Sequence, residues 1–505
     1  MKIGEKIISN TVYLFLDWII VAIFSFVFWF FLGKTLMKQE LGIVSTMINF
    51  VALLSWISLL GTTLAIQKLI PEFKNKNAKK LHALIRISIK PVLIILTVIL
   101  LAMFIFSNQL STILKVPHEG ILISIFSIFA IVPFTFFGSI LYGLQNMKKY
   151  FLTDFFQVFL RVLISVFLII LGLKFYGPLI GFGLGYFIVS FMRIDLKYFK
   201  NNNSYFSYKE LFYYASPAFI LTITSSIITN SQYIILTILK NPGVTGIFTI
   251  AFLLTSFIGI MINVLTSAMF PIISGLSVNR KMKSKESYLI TLVLRYSLTI
   301  IIPISVILLI FSNWAVLSFS SVEYISASTY FPILIPAAIL FGIGSMFNSN
   351  LYAIGKPNIS RNILVATTML FLTTSILAVQ YFSAFGMSFA YLTSMFFYFT
   401  LNLIYIRKFL AIRFFTADIL KNLLSSVFIG LFLLFLYPLI HNIIIVAIVS
   451  LSSIIIYFLL LLPLKFYRFE DIKILEFFAK RIPALNKFLS MIINFLKKNL
   501  YIVKK

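Results

Sequence analysis

A chain of 505 residues that is 61% hydrophobic and only 11% charged carries more apolar surface than water tolerates, which excludes a soluble globular protein and leaves a polytopic membrane protein. Its formal charge of +28 is not the footprint of nucleic-acid binding: when Lys and Arg are assigned to alternating sides of successive apolar spans, roughly 35 of the 42 fall on the side of the N-terminus, the positive-inside asymmetry, with attraction to anionic lipids as a second role. With no cysteine, disulfides, thiolate nucleophiles and thiolate metal sites are excluded.

A window of about 19 residues finds about fourteen apolar spans separated by short polar or basic breaks, with no room for a soluble domain. Lys2 and Lys6 put the N-terminus in the cytoplasm, and an even number of spans returns the C-terminus there. The first span, Thr11 to Leu32, is too long for a signal-peptide core and reads as an uncleaved helix. The second is expected to run to Gln67, the third over Leu84 to Ser107 and the fourth over Gly120 to Leu144, with Pro133 permitting a kink. The fifth begins near Asp154 and contains Arg161. The sixth carries Gly177, Gly181 and Gly185, four apart, a face without side chains that a neighbour can approach closely. Lys197 to Lys209 is a polar hinge. The seventh to twelfth spans follow, from Leu211 to about residue 420, and the twelfth repeats a small-residue face through Gly386, Ala390 and Ser394. The thirteenth covers Leu423 to Ile440 and the fourteenth Ile443 to Leu462. The tail from Lys465 alternates apolar and basic residues, as an interfacial amphipathic helix does.

The chain contains one design used twice. Gly42, Ile43 and Val44 open an apolar run that ends at Pro71, and after a basic loop Arg86 starts the next run, which meets Pro91. Gly246, Ile247 and Phe248 open a second such run, closed by Pro271, followed by Arg280, Lys281, Lys283 and Lys285, and Arg295 precedes Pro303. The offset is about 200 to 212 residues, far beyond a solenoid unit. The fold class is therefore all-α and polytopic: two parallel six-helix repeats related by an axis along the membrane normal, plus two extra C-terminal helices. Domain boundaries are expected at residues 1–210, 211–420, 421–463 and 464–505.

This pattern resembles the polysaccharide-export branch of the superfamily that also holds multidrug extruders and the lipid II flippase. The phrases that carry the resemblance are Glu40, Leu41, Gly42, Ile43, Val44 and Thr229 to Gln232 followed by Thr245, Gly246, Ile247, Phe248. Where members often have an Asp-Arg pair, this chain has Ser231 and Gln232. The resemblance implies a Wzx-type oligosaccharide flippase, turning a polyprenyl-pyrophosphate-linked glycan to the outer leaflet of the cell membrane by alternating access. Implied partners are that lipid-linked oligosaccharide and the glycan polymerase or glycosyltransferases acting on it.

Charge inside a span is costly and points to function. Arg161 is a candidate for the lipid pyrophosphate, since guanidinium matches phosphate oxygens bidentately; the alternative is a pair with Asp17, also the candidate ion-coupling residue. Arg86 and Arg295 occupy equivalent places and form a basic mouth if both face the cleft, or snorkel to lipid phosphates if they do not. Asn49, Asn230, Gln232, Asn263 and Asn348 suit sugar hydroxyls but also suit bonds to neighbouring helices. Asp17 is the only carboxylate read as well inside a span. No acid, base or metal-ligand set stands at an outside face, so neither an enzyme nor a cofactor is expected. A drug exporter of the same superfamily is the alternative function and calls for carboxylates in the cleft. Reporter fusions test the topology: those after Lys115 and Glu323 should read outside and those after Lys80 and Lys283 inside, and reversal of any of the four overturns the repeat alignment.

Overall fold

In lipid a backbone satisfies its polar groups within helices or closed barrels, and all regular structure among the described residues of this computed structural model is helical. Residues 3–74, 78–195, 205–277, 283–410 and 416–468 are described, with Asp471, Ile472 and isolated positions beyond. The Asn201 to Asn203 hinge, Arg280, Lys281 and most of the basic tail lie outside them.

The first bundle comprises α1 (Ile3–Thr35), α2 (Lys38–Leu59), α3 (Thr62–Lys74), α4 (Ala78–Ile105), α5 (Ser107–Leu114), α6 (His118–Gly143), α7 (Met147–Ile170) and α8 (Tyr176–Arg193). The second comprises α9 (Tyr208–Leu239), α10 (Pro242–Ser277), α11 (Lys283–Ile310), α12 (Ser312–Phe319), α13 (Phe331–Ala353) and α14 (Pro357–Phe409). The last two helices, α15 (Thr416–Leu436) and α16 (Ile443–Leu460), are extra to both, and α15 packs on α11. Within the first bundle the most extensive packing is α8 on α7 and α6; within the second it is α13 on α14 and α10. The bundles meet chiefly through α2, which lies against both α9 and α10.

Twelve helices among the described residues are long and apolar enough to cross a membrane, against about fourteen expected. The difference has two sources. α14 runs for 53 residues, about 80 Å if straight, but Ser383 breaks it with φ 54° and ψ −133°. A Cβ on Gly386 would overlap the carbonyl oxygen of Ala378, eight residues back and about 12 Å away along a straight helix, so α14 is a helical hairpin containing two of the expected helices. The other source is α8, only 18 residues long and not among the twelve.

Helix boundaries moved where side chains cap or glycines turn. The expected second helix is divided into α2 and α3 by left-handed residues at Leu60 (φ 48°) and Gly61 (φ 70°). A Cβ on Gly61 would overlap backbone atoms of Ala215 and Phe219 in α9; glycine both permits the turn and lets α3 reach the second bundle. α7 starts seven residues before Asp154 because Asn146 caps it, accepting from the backbone N–H of Lys149 at 3.3 Å. The α8 glycines do admit a close neighbour, which is α7: a Cβ on Gly177 would stand 3.1 Å from the Ile169 nitrogen, and one on Gly181 would overlap the Ser165 hydroxyl.

The tightest approach between the bundles is at the starts of α2 and α10. A Cβ on Gly42 would overlap the carbonyl of Pro242, and one on Gly246 the carbonyl of Lys38. Next to this crossing lies a buried hydroxyl cluster: Thr46 bonds Thr237 (2.6 Å), Thr237 bonds Thr245 (2.7 Å), and Thr249 donates to Ser45 (2.9 Å). At the same end Lys34 Nζ donates to the carbonyls of Leu317 and Ser320, Lys115 Nζ to that of Lys240, and Tyr324 Oη to that of Leu36. Since backbone cannot move aside as a side chain can, Gly246→Leu should destabilise the protein by at least the usual overpacking cost of about 1–3 kcal/mol. Gly120→Ala, whose Cβ would meet no atom within 4 Å, should leave the thermal midpoint of the detergent-solubilised chain unchanged or higher; equal midpoints for both variants would contradict so close a crossing.

Candidate functional site

Two polar regions stand out, one inside the first bundle and one between the bundles. On α7, Asp154, Gln157, Arg161 and Ser165 recur at helical spacing and so share one face. Gln157, Arg161 and Ser165 are buried, and the Asp154 side chain is 14% exposed. The α8 glycines make room for them, Gly185 lying against the Gln157 to Arg161 backbone.

At the end of this face Arg193, in the last turn of α8, is buried and fully engaged in the packing. Its Nη2 pairs with Asp154 Oδ1 at 2.8 Å, Nε donates to Thr153 Oγ1 at 2.9 Å and Nη1 to the Phe134 carbonyl at 3.0 Å. The guanidinium lies 3.5 Å from the centroid of the Phe134 ring, and Gly138 of α6 leaves the space, since a Cβ there would overlap Nη1. Asp17 of α1 lies against Asp154 and faces Arg193. Two carboxylates therefore share one guanidinium, and both oxygens Asp17 Oδ1 and Asp154 Oδ2 lack a hydrogen-bond partner among the described residues. Neutralising that corner takes a proton or a cation.

The alternative reading of Arg161, a pair with Asp17, does not form. Arg161 Nη2 donates to Ser25 Oγ at 3.2 Å, and its guanidinium lies 4.8 Å from the Phe28 ring centroid. Ser25 is eight residues, about 12 Å, further along α1 than Asp17. The sequence places Asp154 at the start of the fifth span, but the Asn146 cap begins α7 seven residues earlier and makes Asp154 a second interior carboxylate. Arg193 stands in the last turn of α8, where sequence alone does not separate it from the loop charges that follow.

Arg295 is held elsewhere. Its Nε pairs with Asp418 Oδ2 at 2.9 Å, Nη1 with Asp471 Oδ1 at 2.8 Å, and Nη2 donates to Asp471 Oδ2 at 3.0 Å and to the Phe466 carbonyl at 2.8 Å. Tyr296 Oη donates to Asp471 as well. These contacts clamp α15 and the segment after α16 onto α11. Arg86 is half-buried on α4. Asn348 bonds Asn402 (3.0 Å) and Ser360 (2.6 Å) within the second bundle, joining α13 to both arms of α14. Asn263 is half-buried on α10.

The remaining amides flank a cavity of about 400 Å³ between the bundles, lined by Trp56 of α2, Leu221, Thr222, Ser225, Ser226 and Thr229 of α9, and Leu364 of α14. Asn230 Nδ2 donates to Ser226 Oγ at 2.9 Å and Thr229 Oγ1 at 3.1 Å, and Gln232 Nε2 donates to the Thr229 carbonyl at 3.1 Å. Asn49, seven residues before Trp56 and so on the same face of α2, donates to the Ser45 carbonyl. Arg361, one turn before Leu364, is half-buried, and among the described residues its hydrogen-bond partner is only the Asn362 amide, at 3.2 and 3.3 Å. None of the described lining residues is charged.

Removing Arg193 alone would leave two buried carboxylates facing each other, so Arg193→Met should cost about 3–5 kcal/mol. The double change with Asp154→Leu should recover much of that loss in thermal unfolding, and strictly additive losses would argue against the pair.

The polysaccharide biosynthesis protein family model matches residues 7–277. By sequence no curated protein matches the chain. Among solved structures, the lipid II flippase MurJ in an inward closed conformation is similar with a TM-score of 0.68 at 17% identity, covering 90% of this chain and 98% of that one. An inward-facing multidrug resistance MATE family transporter of the MOP superfamily has a TM-score of 0.63 at 15% identity, covering 79% and 94%. The MATE multidrug transporter DinF-BH has a TM-score of 0.58 at 16% identity, covering 81% and 96%. The chain thus has the all-α polytopic fold of MOP-superfamily membrane proteins, and with more than half its length matched it belongs to the polysaccharide biosynthesis protein family.

Proposed function

We propose that this protein is a flippase that moves a polyprenyl-pyrophosphate-linked oligosaccharide from the cytoplasmic to the outer leaflet of the cell membrane by alternating access of its two bundles. The observation that carries this reading is the cavity of about 400 Å³ between α2, α9 and α14, walled by hydroxyls and an indole. That size falls in the range of about 300–1,000 Å³ typical of small-molecule sites, and hydroxyls with an aromatic plate suit a glycan head group. Membership of the polysaccharide biosynthesis family and the likeness in fold to a lipid II flippase support a lipid-linked glycan as cargo. Arg361 stands one turn beyond the cavity wall with a neutral partner, a better candidate for the pyrophosphate than Arg161 or Arg295, whose guanidiniums lie inside the packing. The lipid tail stays outside, in the bilayer: α1 meets the second bundle through Phe26, Phe30, Gly33 and Lys34, while Phe15, Trp18 and Ile23 are exposed before that contact.

The membrane potential can drive this step. A head group with about two negative charges gains about 2.3 kcal/mol per charge per 100 mV on leaving an inside-negative compartment, roughly 4 to 5 kcal/mol in all. A second reading, an ion-coupled exporter of small molecules, is favoured by the two carboxylates Asp17 and Asp154 that share Arg193. Proteoliposomes separate the two. With a fixed potential and no ion gradient, a labelled lipid-linked oligosaccharide should flip, and collapsing the potential should slow it. A requirement for a proton or sodium gradient, abolished by Asp17→Asn, would instead make the carboxylate pair the coupling site.

A further inference from the structure

The elbow between α1 and α2 is closed by donors from the other bundle. Two backbone N–H groups placed to finish the last turn of α1 are diverted to carboxylates: that of Met37 donates to Glu40 of α2 at 3.1 Å, and that of Lys38 to Glu323 of the second bundle at 3.4 Å. Carbonyls at the elbow therefore need partners from elsewhere. The Ser321 backbone N–H donates to the Gly33 carbonyl at 3.0 Å, and Tyr324 Oη to the Leu36 carbonyl at 2.8 Å. The capping is reciprocal, since Lys34 Nζ donates to the Leu317 and Ser320 carbonyls at 2.6 and 2.9 Å, where α12 ends.

The segment that supplies these donors, residues 312–330, consists of α12 and the 3-10 turn Val322–Tyr330 and packs on α10. Tyr324 is fully buried within it, and a Cβ on Gly33 would stand 3.1 Å from the Ser320 side chain. The Phe319 ring lies 5.2 and 5.9 Å from those of Phe26 and Phe30 of α1. The bonds from Ser321, Tyr324 and Lys34 all end on carbonyls, so parting the bundles strands no carboxylate–ammonium pair, and water can take each group in turn. Such bonds hold the elbow shut and still let a shift of population release it. We propose that residues 312–330 are a latch that keeps the bundles together at the Gly42 and Gly246 end, with Tyr324 as its bolt. That end opens only when Tyr324 and Ser321 leave the α1 elbow. The latch rests on the alternating-access part of the function proposed above and is independent of the cargo.

Because the chain has no cysteine, one introduced thiol can report on each side of the junction. Ser45 is fully buried at the α2 and α10 crossing and becomes accessible when that end opens, whereas Ser225 already lines the cavity. In the purified full chain, Ser45→Cys should react slowly with a water-soluble maleimide, at a rate set by the open fraction. Adding Tyr324→Phe, which keeps the ring and removes the hydroxyl, should raise that rate about two- to tenfold, the factor for one net hydrogen bond. Lys34→Met should raise it as well. Neither change should raise the rate at Ser225→Cys. A Ser45→Cys rate that Tyr324→Phe leaves unchanged overturns the latch, and so does a rise at both positions, which would mean a general loosening of the fold. If the thiols behave as expected but no lipid-linked oligosaccharide flips in proteoliposomes, the latch stands and the cargo reading falls.

Discussion

The backbone contact between Gly42 and Gly246 sets the geometry on which the other interfaces depend. Each glycine opens an apolar run in its own half of the chain, and each lies against the carbonyl of a residue four before the other. With no Cβ on either side, α2 and α10 cross at a separation that any other residue would enlarge. The hydroxyl cluster of Ser45, Thr46, Thr237, Thr245 and Thr249 can form only at that separation, because threonine side chains are too short to bridge a wider gap. The lysine ammoniums of Lys34 and Lys115 complete the closure by occupying carbonyls at the ends of helices in the opposite bundle. Both bundles are thus joined at one end by backbone contact and short polar bonds, and the cavity lies between them beyond that junction.

Buried charge is distributed so that the cavity itself carries none. In the first bundle Arg193 binds Asp154 and the Phe134 carbonyl, which fixes α6, α7 and α8 against one another around Gly138. In the second, Arg295 binds Asp418 and Asp471 and so joins α11, α15 and the segment after α16. Each guanidinium is desolvated, and each has carboxylate and carbonyl partners at 2.8 to 3.0 Å, the condition under which a buried ion is tolerated. Asp17 is the exception: it adds a negative charge to a corner where one guanidinium already serves Asp154.

Asn348 and Arg295, residues of the types expected to touch cargo, are instead spent on holding helices together, and Arg161 is packed on α1. The surface between the bundles is built from weaker donors and acceptors, mostly serine and threonine, of which Thr222 and Thr229 bond carbonyls of their own helix. Such a wall can lose and regain a ligand without leaving an unsatisfied charge behind.

Composition and periodicity by themselves determined that the chain is helical and membrane-embedded, because apolar length and the scarcity of charge admit no other solution in lipid. They also singled out Gly42 and Gly246 as corresponding positions and Gly177, Gly181 and Gly185 as a contact face, since a missing side chain is visible in the sequence. What they could not determine was partnership. Whether Asp17 meets Arg161 or Asp154 depends on the rotation and tilt of α1 against α7, a difference of about two helical turns that no spacing in the sequence encodes. Asp154 stands at a helix end by sequence and Arg193 beside loop charges; the Asn146 cap and the space left by Gly138 draw both into the bundle. The reversal at Ser383 is likewise invisible locally, because its left-handed backbone is imposed by the packing of Gly386 on Ala378 rather than by a glycine or proline of its own. Tertiary structure alone decided which polar groups, in the bundles and in the α9 wall, were already satisfied within the protein.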